Sequence, residues 1–155
     1  MRLRSWAAAA VLPAGAAAAA ALYASAGAAA PVPATASISV TVSGIRSPKG
    51  LIHVDVCPQA TFLHACPYST TVPARAGTVT VTLANVPPGT YAVQAFQDAN
   101  ANGQVDQGMF GIPREGIGFS NDAMAKLVRP KWAVAAFDHG SAAQTVPVTL
   151  RYFLG

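Results

Sequence analysis

Two short runs constrain this chain more than anything else in it. Ser37 to Ser43 alternates Ile38, Val40 and Val42 with Ser39, Thr41 and Ser43, and Thr78 to Leu83 alternates Val79, Val81 and Leu83 with threonines. A strand sends successive side chains to opposite faces, so strict period-two alternation of branched apolar and small polar residues predicts a strand with one dry face and one wet face. Gly50 to Cys57 continues the theme, with Ile52, Val54 and Val56 on one face and His53, Asp55 and Cys57 on the other. That pattern makes His53 an outward strand residue. Thr90 to Gln97 is apolar on both faces, as expected of a central strand covered on both sides. Trp132 to Phe137 and Thr145 to Phe153 read as two further strands, and Thr70 to Val72 as a short one. Pro147 lacks an N–H and assigns the last strand to an edge or bulge.

No stretch carries a long helical period; Ser120 to Val128 is expected to form a turn or two, capped by Ser120 or Asn121. The fold class is therefore all-β: an antiparallel β-sandwich, immunoglobulin-like or prealbumin-like, of about seven strands with one long ordered loop. Tyr91 follows the turn Pro87-Pro88-Gly89 and opens a strand, the position at which a sandwich tyrosine bonds back to the backbone.

The N-terminus has a different composition. Arg2 and Arg4 precede an uncharged, alanine-dominated run from Trp6 to Ala30. This charged-then-apolar layout predicts a secretory signal over residues 1–36, removed at a small-residue site between 28 and 36. A site at Ala34-Thr35-Ala36 avoids placing Pro31 directly after the cut. An uncleaved membrane anchor is the competing reading, since the run is long enough to span a bilayer. After cleavage, residues 37–155 form one domain with one core and no stable membrane span.

Subtracting Arg2 and Arg4 from ten basic residues leaves eight against six acidic ones, a charge of +2. Only Lys126, Arg129 and Lys131 lie close together, and they read as a solvated loop. Nucleic acid is excluded as a partner, because phosphate binding needs a dense basic face. Export predicts a periplasmic or extracellular location and a Cys57–Cys66 disulfide. The alternative is a zinc or copper site from His53, Cys57, His64 and Cys66, although their spacing follows no zinc pattern.

Polar chemistry concentrates between Asp98 and Asn121. Asp98, Asn100 and Asn102 alternate ahead of Gly103, Gln104 offers a backbone carbonyl, Val105 is apolar and Asp106 follows. That is the ligand order of a calcium loop. Met109 stands where such a loop has its bidentate glutamate, so Glu115 or Asp122 would have to complete the shell. The same residues also make turns unaided, because Asn and Asp bond their own backbone. The next segment, Phe110 to Asn121, holds Phe110, Ile112, Ile117 and Phe119, expected to anchor it on the sandwich. Arg114, Glu115 and Asn121 are its candidate ligand-binding residues.

Three segments together resemble one family: Tyr91-Ala92-Val93, the run Asp98 to Asp106, and Phe110-Gly-Ile-Pro-Arg-Glu-Gly-Ile-Gly-Phe-Ser-Asn121. They are similar to the bacterial secreted family called domain of unknown function 2141. The likeness extends to Gly50 at the start of the second strand and to Arg151-Tyr152 near the end. The resemblance implies a secreted β-sandwich and no particular activity; the cysteine pair looks like a variation within some members.

No nucleophile elbow surrounds Ser120, no Ser-His-Asp order is present, and His139 in Asp138-His139-Gly140 reads as a hairpin turn. The expectation is a non-enzymatic binding or accessory module with an envelope protein or carbohydrate partner, stabilised by calcium. A purely structural envelope protein is the alternative. A hydrolase using Asp98, Asp106 or Glu115 ranks below both.

Overall fold

Alternation translates directly into layers. In a computed structural model of the chain, residues 29–32 and 34–154 are described. The expected signal segment, up to residue 28, lies outside them. All elements below belong to the compact unit Val32–Gly155. Strands β1 (Ala36–Ile45), β4 (Gly77–Val86) and β8 (Gln144–Thr149) form one sheet in the order β4-β1-β8. In the other, β3 (Tyr68–Pro73), β2 (Leu51–Cys57), β5 (Gly89–Asp98) and β6 (Ile117–Phe119) run in that order, and β7 (Phe137–His139) also pairs with β5.

The two Thr/Val runs become neighbours. Ile38, Val40 and Val42 stand opposite Leu83, Val81 and Val79, and Ser39 and Thr41 stand opposite Thr82 and Thr80. The apolar pairs face inward, while the outward hydroxyl pairs bond across the strands at 3.0 and 3.3 Å. Val40 and Val42 meet Ile52, Val54, Val56 and Val93 of the opposite sheet in one buried core. Each fully buried branched side chain contributes about 1.5–3 kcal/mol relative to exposure. Tyr91 sits where the chain leaves one sheet for the other, and its hydroxyl donates to the Pro87 carbonyl at 3.0 Å. Strand β5 is central, as its two apolar faces require: β2 flanks one edge, and β6 and β7 share the other.

Two expectations are corrected. Residues Trp132–Ala135 form a short helix (α1) rather than a strand, and only Phe137–His139 is extended. Ala133, Ala135 and Ala136 blurred the alternation, and alanine favours the helix. The Asn121 amide then donates to the carbonyls of Val134 and Ala136 at 3.1 and 3.0 Å, holding the turn's end. His139 is a buried strand residue, 3% exposed, and not part of a hairpin turn. Its strand lies in the larger sheet, while β8 lies in the smaller one, so the intervening residues cross between layers. The expected all-β sandwich is what the strands build, with mostly antiparallel sheets; one pairing of named strands, β8 with β1, is parallel. Pro147 is accommodated because β8 is the edge of its sheet.

Cys57 and Cys66 form a disulfide with Cα atoms 5.0 Å apart. With the sulfurs bonded to each other, the zinc or copper alternative loses its thiolates. The bridge ties the end of β2 to the segment carrying Phe62 and Leu63. These two residues, with Phe96, Val105, Phe119 and Met124, build a second apolar cluster separate from the inter-sheet core. Among the described residues no helix is long and apolar enough to cross a membrane.

Candidate functional site

The polar loop starts where β5 ends. Asp98, its first residue, has no exposed surface. One carboxylate oxygen accepts the Asn102 N–H at 3.0 Å; the other accepts the Gly103 N–H at 2.7 Å and faces His53 Nε2 at 3.1 Å. Burial pushes Asp98 up. The Gly103 and Asn102 N–H groups, followed by His53, outweigh it and hold the carboxyl below its ordinary range. Gly50 permits this packing. Its φ is +71°, and a Cβ there would lie 1.9 Å from the Asp98 carbonyl oxygen.

The remaining oxygens fold inward on the loop. Asp106 accepts the Asn102 amide at 2.8 Å and the Asn100 amide at 2.7 Å. Asn100 and Asn102 in turn accept the backbone N–H groups of Asn102 and Gln104 at 3.2 and 2.9 Å. Glu115 is buried, and its two oxygens accept the N–H groups of Ala99 and Asp106 at 2.8 and 3.0 Å. It therefore clamps both ends of the loop at once.

The donors are hard oxygens, the type calcium requires, and Asp106 draws both Asn side chains together. Among the described residues no three His, Cys, Asp or Glu groups come close enough to share an ion. A calcium ion would thus depend on Asp98, Asp106, the neutral oxygens of Asn100 and Asn102, and the Gln104 carbonyl. Asp122 is engaged elsewhere, in a two-point pair with Arg151 at 2.6 and 3.1 Å.

The candidate ligand-binding residues separate. Glu115 is buried in its clamp, Arg114 is exposed, and Asn121 directs its amide to the end of α1. Ser120 is buried, donating to the Ala135 carbonyl at 2.6 Å and accepting the Val93 N–H at 2.9 Å. Two further expectations change. Ile117 and Phe119 anchor the second segment as expected, but Phe110 is 93% exposed. It occupies a left-handed turn at φ 61°. His53, expected only to face outward, stacks on Phe96 with centroids 4.5 Å apart and reaches Asp98. The signal was present in the alternation of β2. Its use required the register that sets His53 opposite Phe96 and Leu51 opposite Asp98.

Val105 and the segment that follows the loop, Gln107 to Pro113, form a wall. Between it and residues 124–130 runs an apolar groove of about 790 Å³. Its floor is Phe96, Ile117 and Phe119, and its lips carry Phe110 on one side and Leu127 and Val128 on the other. Concave apolar sites of this size with few polar groups are the usual form of ligand pockets.

No curated protein and no solved structure matches the chain. The profile of DUF2141, described as an uncharacterized protein conserved in bacteria, matches residues 40–147. That span covers most of the sandwich, the polar loop and both walls of the groove, and the chain belongs to the domain of unknown function 2141 family.

Proposed function

We propose that this protein is a non-enzymatic binding or accessory module of the periplasm or cell exterior. Its recognition surface is the groove beside the Asp98–Asp106 loop. Residues 1–36 act as the export signal, leaving a single domain over 37–155. The observation that carries the reading is an ordered loop, clamped by the buried carboxylates of Asp98 and Glu115, that leads through Val105 into residues 107–113, which line an apolar groove. Ordered irregular loops on a rigid sandwich are common carriers of recognition. The disulfide suits an oxidising compartment.

Calcium at Asp98, Asn100, Asn102, Gln104 and Asp106 would stiffen that loop. With two neutral Asn ligands its affinity falls in the weak extracellular range, a Kd of about 0.1–1 mM. Calcium at ~10 mM then stabilises the fold by about 1.4–2.7 kcal/mol, a rise in melting temperature of roughly 3–10 °C. Thermal unfolding with calcium, with magnesium and with chelator tests this; an unmoved melting temperature removes calcium from the reading. One observation favours a second reading, a structural envelope protein with a metal-free turn. Every carboxylate and amide oxygen of Asp98, Asn100, Asn102 and Asp106 already accepts an N–H.

A further inference from the structure

Seven large apolar side chains are conspicuously exposed among the described residues, and they are not scattered evenly. Met109 and Phe110 are 76% and 93% exposed at the apex of one loop, and Leu127 and Val128 are 47% and 62% exposed across the groove. Leu154 joins the first pair, since its side chain lies beside Gly108. Three of the seven, Phe110, Leu127 and Val128, thus line one groove, and Met109 and Leu154 lie next to residues of its rim. Exposed apolar side chains gathered at one place mark an interaction surface.

Four basic residues stand around them. Arg114 lies beside Gly108, Arg129 lines the groove, Lys126 precedes Leu127, and Lys131 follows the groove residue Pro130. None of the four makes a salt bridge among the described residues. The nearby acids keep their charge but are held in contacts of their own: Asp106 with two Asn amides, Glu115 buried against two backbone N–H groups, and Asp122 paired with Arg151. The surface is therefore apolar at its tips and cationic at its flanks.

We infer that this end of the sandwich docks on the anionic surface of a lipid bilayer, with Met109, Phe110, Leu127 and Val128 entering the headgroup–acyl boundary. The inference rests on the groove end being the recognition surface and names its partner. Two features favour a bilayer over a soluble anion or an acidic protein. The apolar residues project from separate turns, which a fluid interface accommodates and a rigid partner would need matching pockets to receive. Among the described residues the four cations carry no side-chain hydrogen bond that would orient them toward one anion, as suits the diffuse charge of a headgroup layer.

The test places an environment-sensitive fluorophore at Met109→Cys, leaving the Cys57–Cys66 disulfide intact. The full chain is mixed with phosphatidylcholine vesicles with and without phosphatidylglycerol. The probe reports the surroundings of the loop tip and not those of the N-terminal segment. Expected is a blue shift with the phosphatidylglycerol vesicles, lost at high salt. The exposed pair Lys126→Ala and Arg129→Ala should weaken the response about thirtyfold. Phe110→Asn suits the left-handed turn and should reduce the shift while leaving the melting temperature unchanged. A probe that stays in water while the chain associates with vesicles overturns the inference. So does an equal response to charged and neutral vesicles. Decanoate below its micelle concentration separates the two levels. A response to decanoate and none to vesicles overturns lipid docking but keeps the recognition surface, whereas silence to both removes both.

Discussion

Replacing Asp98 by Asn keeps the shape of the side chain and removes one acceptor and the charge. In the folded protein the carboxylate accepts two backbone N–H groups and faces His53, and Asp98 itself has no exposed surface. Asparagine can accept from Asn102 or from Gly103, but not from both through separate oxygens. Its NH₂ group must then confront the other donor. A hydrogen bond to a charged group contributes about 1.5–3 kcal/mol, and a buried donor left without a partner costs about 1–3 kcal/mol. The two overlap, so Asp98→Asn should destabilise the fold by about 2–4 kcal/mol at neutral pH. Acid gives a second handle. The folded carboxyl is held below its ordinary value of 3.8, so ionisation favours the folded state. That contribution is complete above the unfolded value and disappears as pH falls through the folded one. The gap between parent and variant should therefore narrow in strong acid, where the parent also carries a neutral side chain. Urea unfolding followed by far-UV circular dichroism, with chelator present, measures the gap at each pH. A loss under about 0.5 kcal/mol at neutral pH would refute the anchoring role of Asp98. A gap that keeps its size into acid would refute the assigned electrostatics.

Gly50→Ala should cost about 2–4 kcal/mol, because a positive φ and a 1.9 Å approach to the Asp98 carbonyl act together. Gly103→Ala should cost only about 1 kcal/mol, since its φ of +78° is strained for alanine but nothing lies within 4 Å of the new methyl. Denaturant midpoints of the two variants should preserve that order. Glu115→Gln leaves the N–H of Ala99 or of Asp106 without its acceptor, and amide exchange across residues 99–116 should accelerate while β1 and β4 stay protected. Opening the Cys57–Cys66 bridge releases a loop of sequence separation 9 and should lower stability by about 2.7 kcal/mol; unfolding with and without reductant, checked by intact mass, reads it.

Strand identity was legible wherever side chains alternate cleanly, as at Ile38-Ser-Val-Thr-Val42, because the period of two is a property of the backbone itself. Legibility failed where both candidate faces are small and apolar, as at Trp132 to Ala136, and where a strand is only three residues long, as in β6. In the polar segment, residue types and their order were readable, and so was the strand that launches the loop. The destinations of its side chains were not: Glu115 clamps backbone, Asp122 pairs with Arg151, and Phe110 faces water. Sequence alone determined an all-β chain, a tyrosine at the corner between sheets, a cysteine pair and an oxygen-rich loop, since these follow from local periodicity and composition. Tertiary structure decided the parallel pairing of β1 with β8, the meeting of His53 with Asp98, and the groove flanked by exposed apolar residues and cations. Those features join residues tens of positions apart, and such contacts exist only once strand register and layer packing are set.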